Sequence, residues 1–422
     1  MNKITTVPKR PSLLNLLLFV FLPFVSFILA LRNLKSKVNT VVFILFCTLF
    51  GYAFTFTFDS ADSYRIALVF HEFDYDSIAD VIPLFFLGIT PDLYEFFSFT
   101  LIKKISNNPK MVFAFFGLVF GVFWYLSLRV FTKEKGSTTD FYIHLLFFIF
   151  LIFNPITNVN GVRFNTAIWI FFYAAINIVL YNKKRYLFLL FLTPLIHFSF
   201  LIPSSVIVVF YSSQRILFLK DKINTFLYFL FVFSFVVSWI LETNIINLDF
   251  LSNIIPSDSI SNKIDKYNSD EMATLYQKRA SESLFLKVST FFLTLLKICV
   301  FFFIVYSRKL LKKIKEPNPV LNKLLSFVLF YFSFAFIIST LPSGTRFLMI
   351  GYLFFIIFIL KLYLKYADRT IKNYILLLLP ILSFKFFFNV VFLSFTLTSP
   401  TIWYGNVFWI IYEGIGYTFS YI

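Results

Sequence analysis

Hydrophobic positions in this chain come in long uninterrupted runs, separated by short polar stretches. A helix needs about 20 mostly apolar residues to cross a bilayer. Runs of that kind recur at 13–31, 38–58, 111–131, 141–157, 164–181, 223–242, 284–306, 324–341, 347–366 and 374–393. A last apolar stretch, 402–422, carries Gly405, Glu413, Gly414 and Gly416 and reads as either a span or a re-entrant segment. The pattern predicts an all-α, polytopic integral membrane protein, a single transmembrane domain over 1–422 with about 10–12 helices. The run 13–31 is long for the core of a signal peptide and has no clean small-residue cleavage site, so it reads as a retained helix.

Charge orients these runs. More than half of the 38 Lys and Arg residues lie in six stretches: 32–37, 129–135, 182–185, 214–222, 307–323 and 361–373. Placed in the cytoplasm, where loops are rich in Lys and Arg, they make the spans alternate almost everywhere. The loops 59–110 and 243–283 are then extracytoplasmic, as are the short turns 158–163 and 342–346. At the N-terminus charge does not decide, because 3–10 and 32–37 carry three cations each. If 84–105 also crossed, the first two spans would invert and 59–80 would be cytoplasmic. One segment does not alternate. The stretch 186–211 has basic residues at each end and is too short for two full spans, and Pro194 and Pro203 each remove a helix hydrogen bond. It predicts a pair of half-length helices with His197 near the turn, lining a protein-walled or water-filled cavity.

Composition agrees. The chain is 59% hydrophobic and 14% charged, with mean hydropathy +0.82; a soluble domain is about 45–50% apolar and about 25% charged. The net charge of +17 belongs to the basic loops, and no nucleic-acid partner is expected. Cys47 and Cys299 lie inside apolar runs, against a disulfide framework or a cysteine metal site. There is no glycine-rich nucleotide loop, HExxH or G-x-S-x-G element, and no cofactor or metal cluster is expected.

Ionisable residues at membrane depth are costly, which makes them candidates for function. Arg163 and Arg346 each follow a polar, glycine-containing turn, precede a phenylalanine and begin an apolar helix, and both fall on the face opposite the basic loops. An arginine fork suits phosphate oxygens. A helix start adds unpaired N–H groups, and Gly161 and Gly344 would admit a close backbone approach. Alone, either arginine reads equally well as an interface anchor. His197 points to the same side. Asp62, Tyr64 and Arg65 come from one outer segment, and Asp92, Tyr94 and Glu95 from the next.

The stretches DSYRIA (62–67), PDLYEFFSFTLIKKISNNPKMVF (91–113), NGVRFNTAIWIFFYA (160–174), LIHFSFL (195–201) and GTRFLMI (344–350) follow the order seen in the EpsG-like family of polysaccharide polymerases, similar in role to the Wzy O-antigen polymerases. The R-x-x-x-A that follows the glycine in this family stands here as Arg163 and Ala167. The resemblance covers roughly 40–370. It implies a fold resembling GT-C-type membrane glycosyltransferases in the bacterial cytoplasmic (inner) membrane. It also implies a reaction: oligosaccharide repeat units on undecaprenyl diphosphate are joined at the outer face, the growing chain leaving its lipid diphosphate for a sugar hydroxyl. Arg163 and Arg346 would bind the diphosphate, and Asp62 or His197 would deprotonate the acceptor. Tyr64, Arg65, Asp92 and Tyr94 would position sugars. The expected partners are the lipid-linked oligosaccharides, the bilayer, and a chain-length regulator or flippase. The competing readings are a lipid-linked glycan flippase, using the same basic cavity without bond making, and a membrane glycan acyltransferase.

Overall fold

The computed structural model of the protein describes residues 12–57, 61–75, 77–86, 92–213, 220–241, 284–313, 318–341 and 343–415. The loop expected at 243–283 lies outside them. The described residues are 85% helical and form no strand, with one isolated antiparallel bridge between Phe54 and Thr398. Among the described residues six helical stretches are long and apolar enough to cross a membrane: Pro109–Lys135, Phe141–Val179, Lys287–Lys312, Pro319–Ile338, Arg346–Tyr366 and Arg369–Leu397. Shorter apolar helices, Lys37–Tyr52, Phe198–Ser213 and Asn224–Ile240, accompany them. Arg346–Tyr366 is the most enclosed of the six and Arg369–Leu397 the least.

The basic ends meet. Lys361 pairs with Glu134, Tyr181 donates its hydroxyl to Glu134, and Lys323 Nζ donates to Asn182 at 2.6 Å. Arg163, His197 and Arg346 gather at the other end of the bundle, as the charge pattern predicts.

Prolines break the chain where the pattern alone is less explicit. The expected single helix at 13–31 is two, Ser12–Phe21 and Pro23–Leu31. Pro23 has no N–H to give the preceding turn, and it drives Leu22 out of the helical region, to φ −139° and ψ 74°. The halves fold back, so that Ser26 Oγ donates to the Asn15 carbonyl at 2.7 Å. The predicted break at 186–211 takes the same form. Leu187–Ile196 ends at His197, which is extended, and Leu201–Ser213 returns antiparallel, with the Thr193 and Ser204 hydroxyls 3.1 Å apart. The C-terminal stretch also bends back over its described residues. Thr401–Tyr404 and Val407–Gly414 flank a turn, and Glu413 accepts from the hydroxyls of Ser399 and Thr401.

The helices differ widely in length. Phe141–Phe153 has 13 residues and Leu187–Ile196 has 10, about 20 Å and about 15 Å of rise. Pro109–Lys135 and Arg346–Tyr366 have 27 and 21 residues, about 40 Å and about 31 Å. At the end away from the basic clusters Phe141–Phe153 stops against Tyr352, below the level of Arg346, whereas Leu187–Ile196 and its His197 bend reach the level of Phe164 and Phe347. Over this end lies a helical cap, Asp62–Glu72, Ile78–Phe86 and Tyr94–Lys103, knit by Phe70, Phe73 and Phe99. Lys103 Nζ donates to the His71 carbonyl, while Asp92 and Glu95 reach Arg163. Both ends of Tyr94–Lys103 thus stay at this end of the bundle, and this helix of 10 residues is too short to cross.

The tightest helix pair is Lys37–Tyr52 against Pro109–Lys135. A Cβ on Gly51 would overlap the Phe113 carbonyl, and one on Gly117 the Cys47 carbonyl; Gly121 lies against the Cys47 side chain. Gly117 and Gly121 form a small-xxx-small pattern that lets two membrane helices approach closely. Alanine ordinarily strengthens a helix interior by about 1 kcal/mol relative to glycine, so a loss at this site isolates the contact. Gly117→Ala is expected to destabilise the purified protein by about 1–3 kcal/mol through overpacking, read as a lower unfolding midpoint in detergent. An unchanged or higher midpoint would show that the pair does not depend on this contact.

Candidate functional site

The turn that carries Arg163 is built by asparagines. Phe141–Phe153 ends at Asn154, a 3-10 segment Ile156–Gly161 follows, and Val162–Val179 begins. Asn154 Nδ2 donates to the Asn165 carbonyl, Asn165 Nδ2 to the Asn158 carbonyl, and Asn158 Nδ2 to Asn154 Oδ1, at 2.7–3.0 Å. The ring of amides satisfies polar backbone at membrane depth, where unpaired groups are expensive. Gly161 lets Asn165 in, since a Cβ there would meet Asn165 Nδ2 at 2.6 Å. Asn160 Oδ1 accepts from Ser63 N–H of the cap at 2.9 Å. None of these asparagines stood out in the sequence, although the spacing Asn154, Asn158, Asn165 was available as a signal.

Arg163 is held by two carboxylates. Its Nη1 donates to Asp92 Oδ2 at 3.0 Å and its Nε lies 2.9 Å from Glu95 Oε2. Asp92 Oδ1 also accepts from the Phe198 N–H at 2.7 Å, and the Leu93 N–H donates to the Leu195 carbonyl. Both carboxylates are buried, their side chains 4% and 7% exposed, whereas that of Arg163 is 36% exposed. The carboxylates therefore take the inner part of the guanidinium and leave its outer part open. With both ionised, the cluster carries one more negative than positive charge.

Phe164 joins the remaining parts. Its ring lies edge-on to His197 at 5.2 Å, 5.2 Å from Phe200 and 6.0 Å from Phe347, and the Arg346 guanidinium sits 5.5 Å from its centroid. The two Arg-Phe helix starts thus interlock through their phenylalanines. Arg346 is exposed and, among the described residues, pairs with no carboxylate. Gly344 serves the turn before it, where a Cβ would overlap the Ile338 carbonyl.

His197 has a defined tautomer. The Ser199 backbone N–H, which can only donate, points at Nδ1 from 3.3 Å, and Ser199 Oγ lies 2.7 Å away. Nδ1 is therefore an acceptor, and the neutral ring carries its proton on Nε2.

The other sequence candidates sit as follows. Asp62 is exposed, pairs with Arg65, and has Oδ2 3.9 Å from where a Gly161 Cβ would stand. Tyr64 is half-buried in the same cap helix. Tyr94 packs inward on Phe116 with its hydroxyl buried. Among the described residues no group of three His, Cys, Asp or Glu side chains is arranged to hold a metal ion.

The model of the EpsG family matches residues 93–405. The chain belongs to the EpsG family. This EpsG/Wzy-like family of polysaccharide polymerases makes it a polysaccharide polymerase-type, multi-pass membrane protein. The match holds Glu95, Arg163, His197 and Arg346, and it begins just after Asp92, so Asp62, Tyr64 and Arg65 lie outside it. No curated protein and no solved structure matches the chain.

Removing one partner of a buried ion pair costs about 3–5 kcal/mol, while exposed pairs contribute about 0–1 kcal/mol. Asp92→Ala is therefore expected to lower the unfolding midpoint substantially, nearer the smaller figure because Glu95 still holds Arg163, and Asp62→Ala to leave it almost unchanged. Equal effects would contradict the assignment of Asp92 as the buried anchor.

Proposed function

We propose that this EpsG-family protein polymerises oligosaccharide repeat units carried on undecaprenyl diphosphate, at the extracytoplasmic face of the bacterial cytoplasmic membrane. The observation that carries this reading is the convergence on Phe164 of two arginine-headed helices and the His197 bend, at the end opposite the basic clusters. A lipid diphosphate is a good leaving group, so a site of this kind needs mainly to position it and stabilise its charge.

In the proposed reaction the anomeric C–O bond to the donor diphosphate breaks and a new C–O bond forms to a hydroxyl of the incoming unit. The electron pair of the broken bond leaves on the diphosphate, and the acceptor proton passes to Asp62, the exposed carboxylate beside the Arg163 turn. Arg346, with no described counter-ion, receives the diphosphate, assisted by the outer edge of Arg163. His197 has its proton on Nε2 and so acts as a donor to developing charge, not as the base. Tyr64 and Arg65 line the sugar side. Asp92 acts through Arg163, and Tyr94 through its packing.

Purified protein in lipid, given lipid-linked repeat units, is expected to make longer saccharides; movement across the bilayer without growth would instead support a flippase. Arg346→Lys and Arg163→Lys keep the charge and lose the fork, and both are expected to shorten the polymer. Normal amounts of full-length polymer from both would sink the fork. At His197, losing one preorganised donor costs about 10²–10³-fold in order of magnitude. His197→Gln, which retains an N–H donor, should be faster than His197→Ala or His197→Glu. A faster Glu variant would return the histidine to the role of base.

A further inference from the structure

Lys385 takes no part in the site so far described, yet its position is costly. It lies in Arg369–Phe386, part of the continuous stretch Arg369–Leu397. That places it inside an apolar stretch, at the level of Met349, about one helical turn below Arg346. A cation at that depth normally faces protein and marks a pathway or a site.

Its surroundings do not neutralise it. Lys385 is half-buried, and its Nζ donates to the Phe153 carbonyl at 3.2 Å, sits 4.8 Å from the Phe153 ring centroid and lies 3.9 Å from Met349 Sδ. Among the described residues no carboxylate pairs with it. These contacts place it between the two arginine-bearing elements. Phe153 immediately precedes the asparagine turn that leads to Arg163, and Met349 is one helical turn below Arg346. Just beyond Lys385 the helix widens into a π-helical turn, Phe387–Phe392, whose Asn389 carbonyl accepts from Thr157 in the same asparagine turn. Such π turns within α-helices are frequent at functional sites.

The charge balance calls for a further cation. Arg163 is outnumbered by Asp92 and Glu95, which leaves Arg346 as the cation of the mouth without a described counter-ion. A diphosphate monoester carries more than one negative charge. We propose that Lys385 is the second uncompensated cation of the site and binds the diphosphate from one helical turn below Arg346, which binds it at the mouth. Without ligand, the amine rests on the Phe153 carbonyl at the end of its helix, where the helix dipole favours a cation, and its flexible stem carries it to the phosphate. This assignment rests on the lipid-diphosphate reading of the preceding section.

The test uses the full chain in lipid nanodiscs and two probes, geranylgeranyl diphosphate and geranylgeranyl monophosphate. Lys385→Met is expected to weaken binding of the diphosphate by about tenfold or more, as for loss of a charged hydrogen bond. It should weaken the monophosphate less and leave the unfolding midpoint in place, and Lys385→Arg should restore most of the affinity. If Lys385→Met does not fold, Lys385→Gln is held to the same standard. Wild-type affinity in Lys385→Met or Lys385→Gln, with binding lost in Arg346→Met, overturns the lysine and leaves the lipid-diphosphate reading standing. A wild-type protein that does not prefer the diphosphate overturns both.

Discussion

One guanidinium ties together three parts of the chain that are distant in sequence. Arg163 heads a buried helix, Asp92 and Glu95 come from the cap, and Asp92 also accepts from the backbone at the His197 bend. Two carboxylates cannot be buried so deeply without a cation between them. The cap, the broken-helix pair and the asparagine turn are thereby held in one arrangement. The ring of Phe164, next to Arg163 on the same helix start, then faces Arg346 and His197.

The second constraint is the bilayer, which allows irregular backbone only where its polar groups are met by protein or water. Each departure from simple spanning helices answers it locally. Asn154, Asn158 and Asn165 close a ring of amides around the Arg163 turn. Asn15 and Ser26 satisfy each other where Pro23 breaks the first helix. Thr193 and Ser204 do the same within the hairpin that presents His197. Polar residues that look scattered in the sequence stand at the points where the helical ladder is interrupted.

Charge divides the molecule in two. At one end Lys361 pairs with Glu134, while Tyr363 donates to Asp140 and Tyr306 to Asp368. At the other end Arg163 is more than balanced by carboxylates and Arg346 is not. The two carboxylates that hold Arg163 are buried behind it, while the exposed Asp62 pairs with Arg65. This separation distinguishes the mouth from an ordinary membrane interface, where a snorkelling arginine needs no buried acid.

Much of this was legible in the chain. The apolar runs locate most of the spans, because crossing a bilayer demands length and hydrophobicity that are local properties. The basic stretches correctly placed Arg163, Arg346 and His197 at one end, and Pro194 and Pro203 announced a break near His197, since a missing N–H acts within its own helix. The helix break at Leu22 was equally encoded by Pro23, but its return as a hairpin was not. Only the tertiary structure joined Arg163 to Asp92 and Glu95, interlocked Phe164 with Phe347, and set Lys385 against Phe153 and Met349. Those contacts span tens to hundreds of residues and depend on how helices of unequal length pack side by side, which the periodicity of no single segment records.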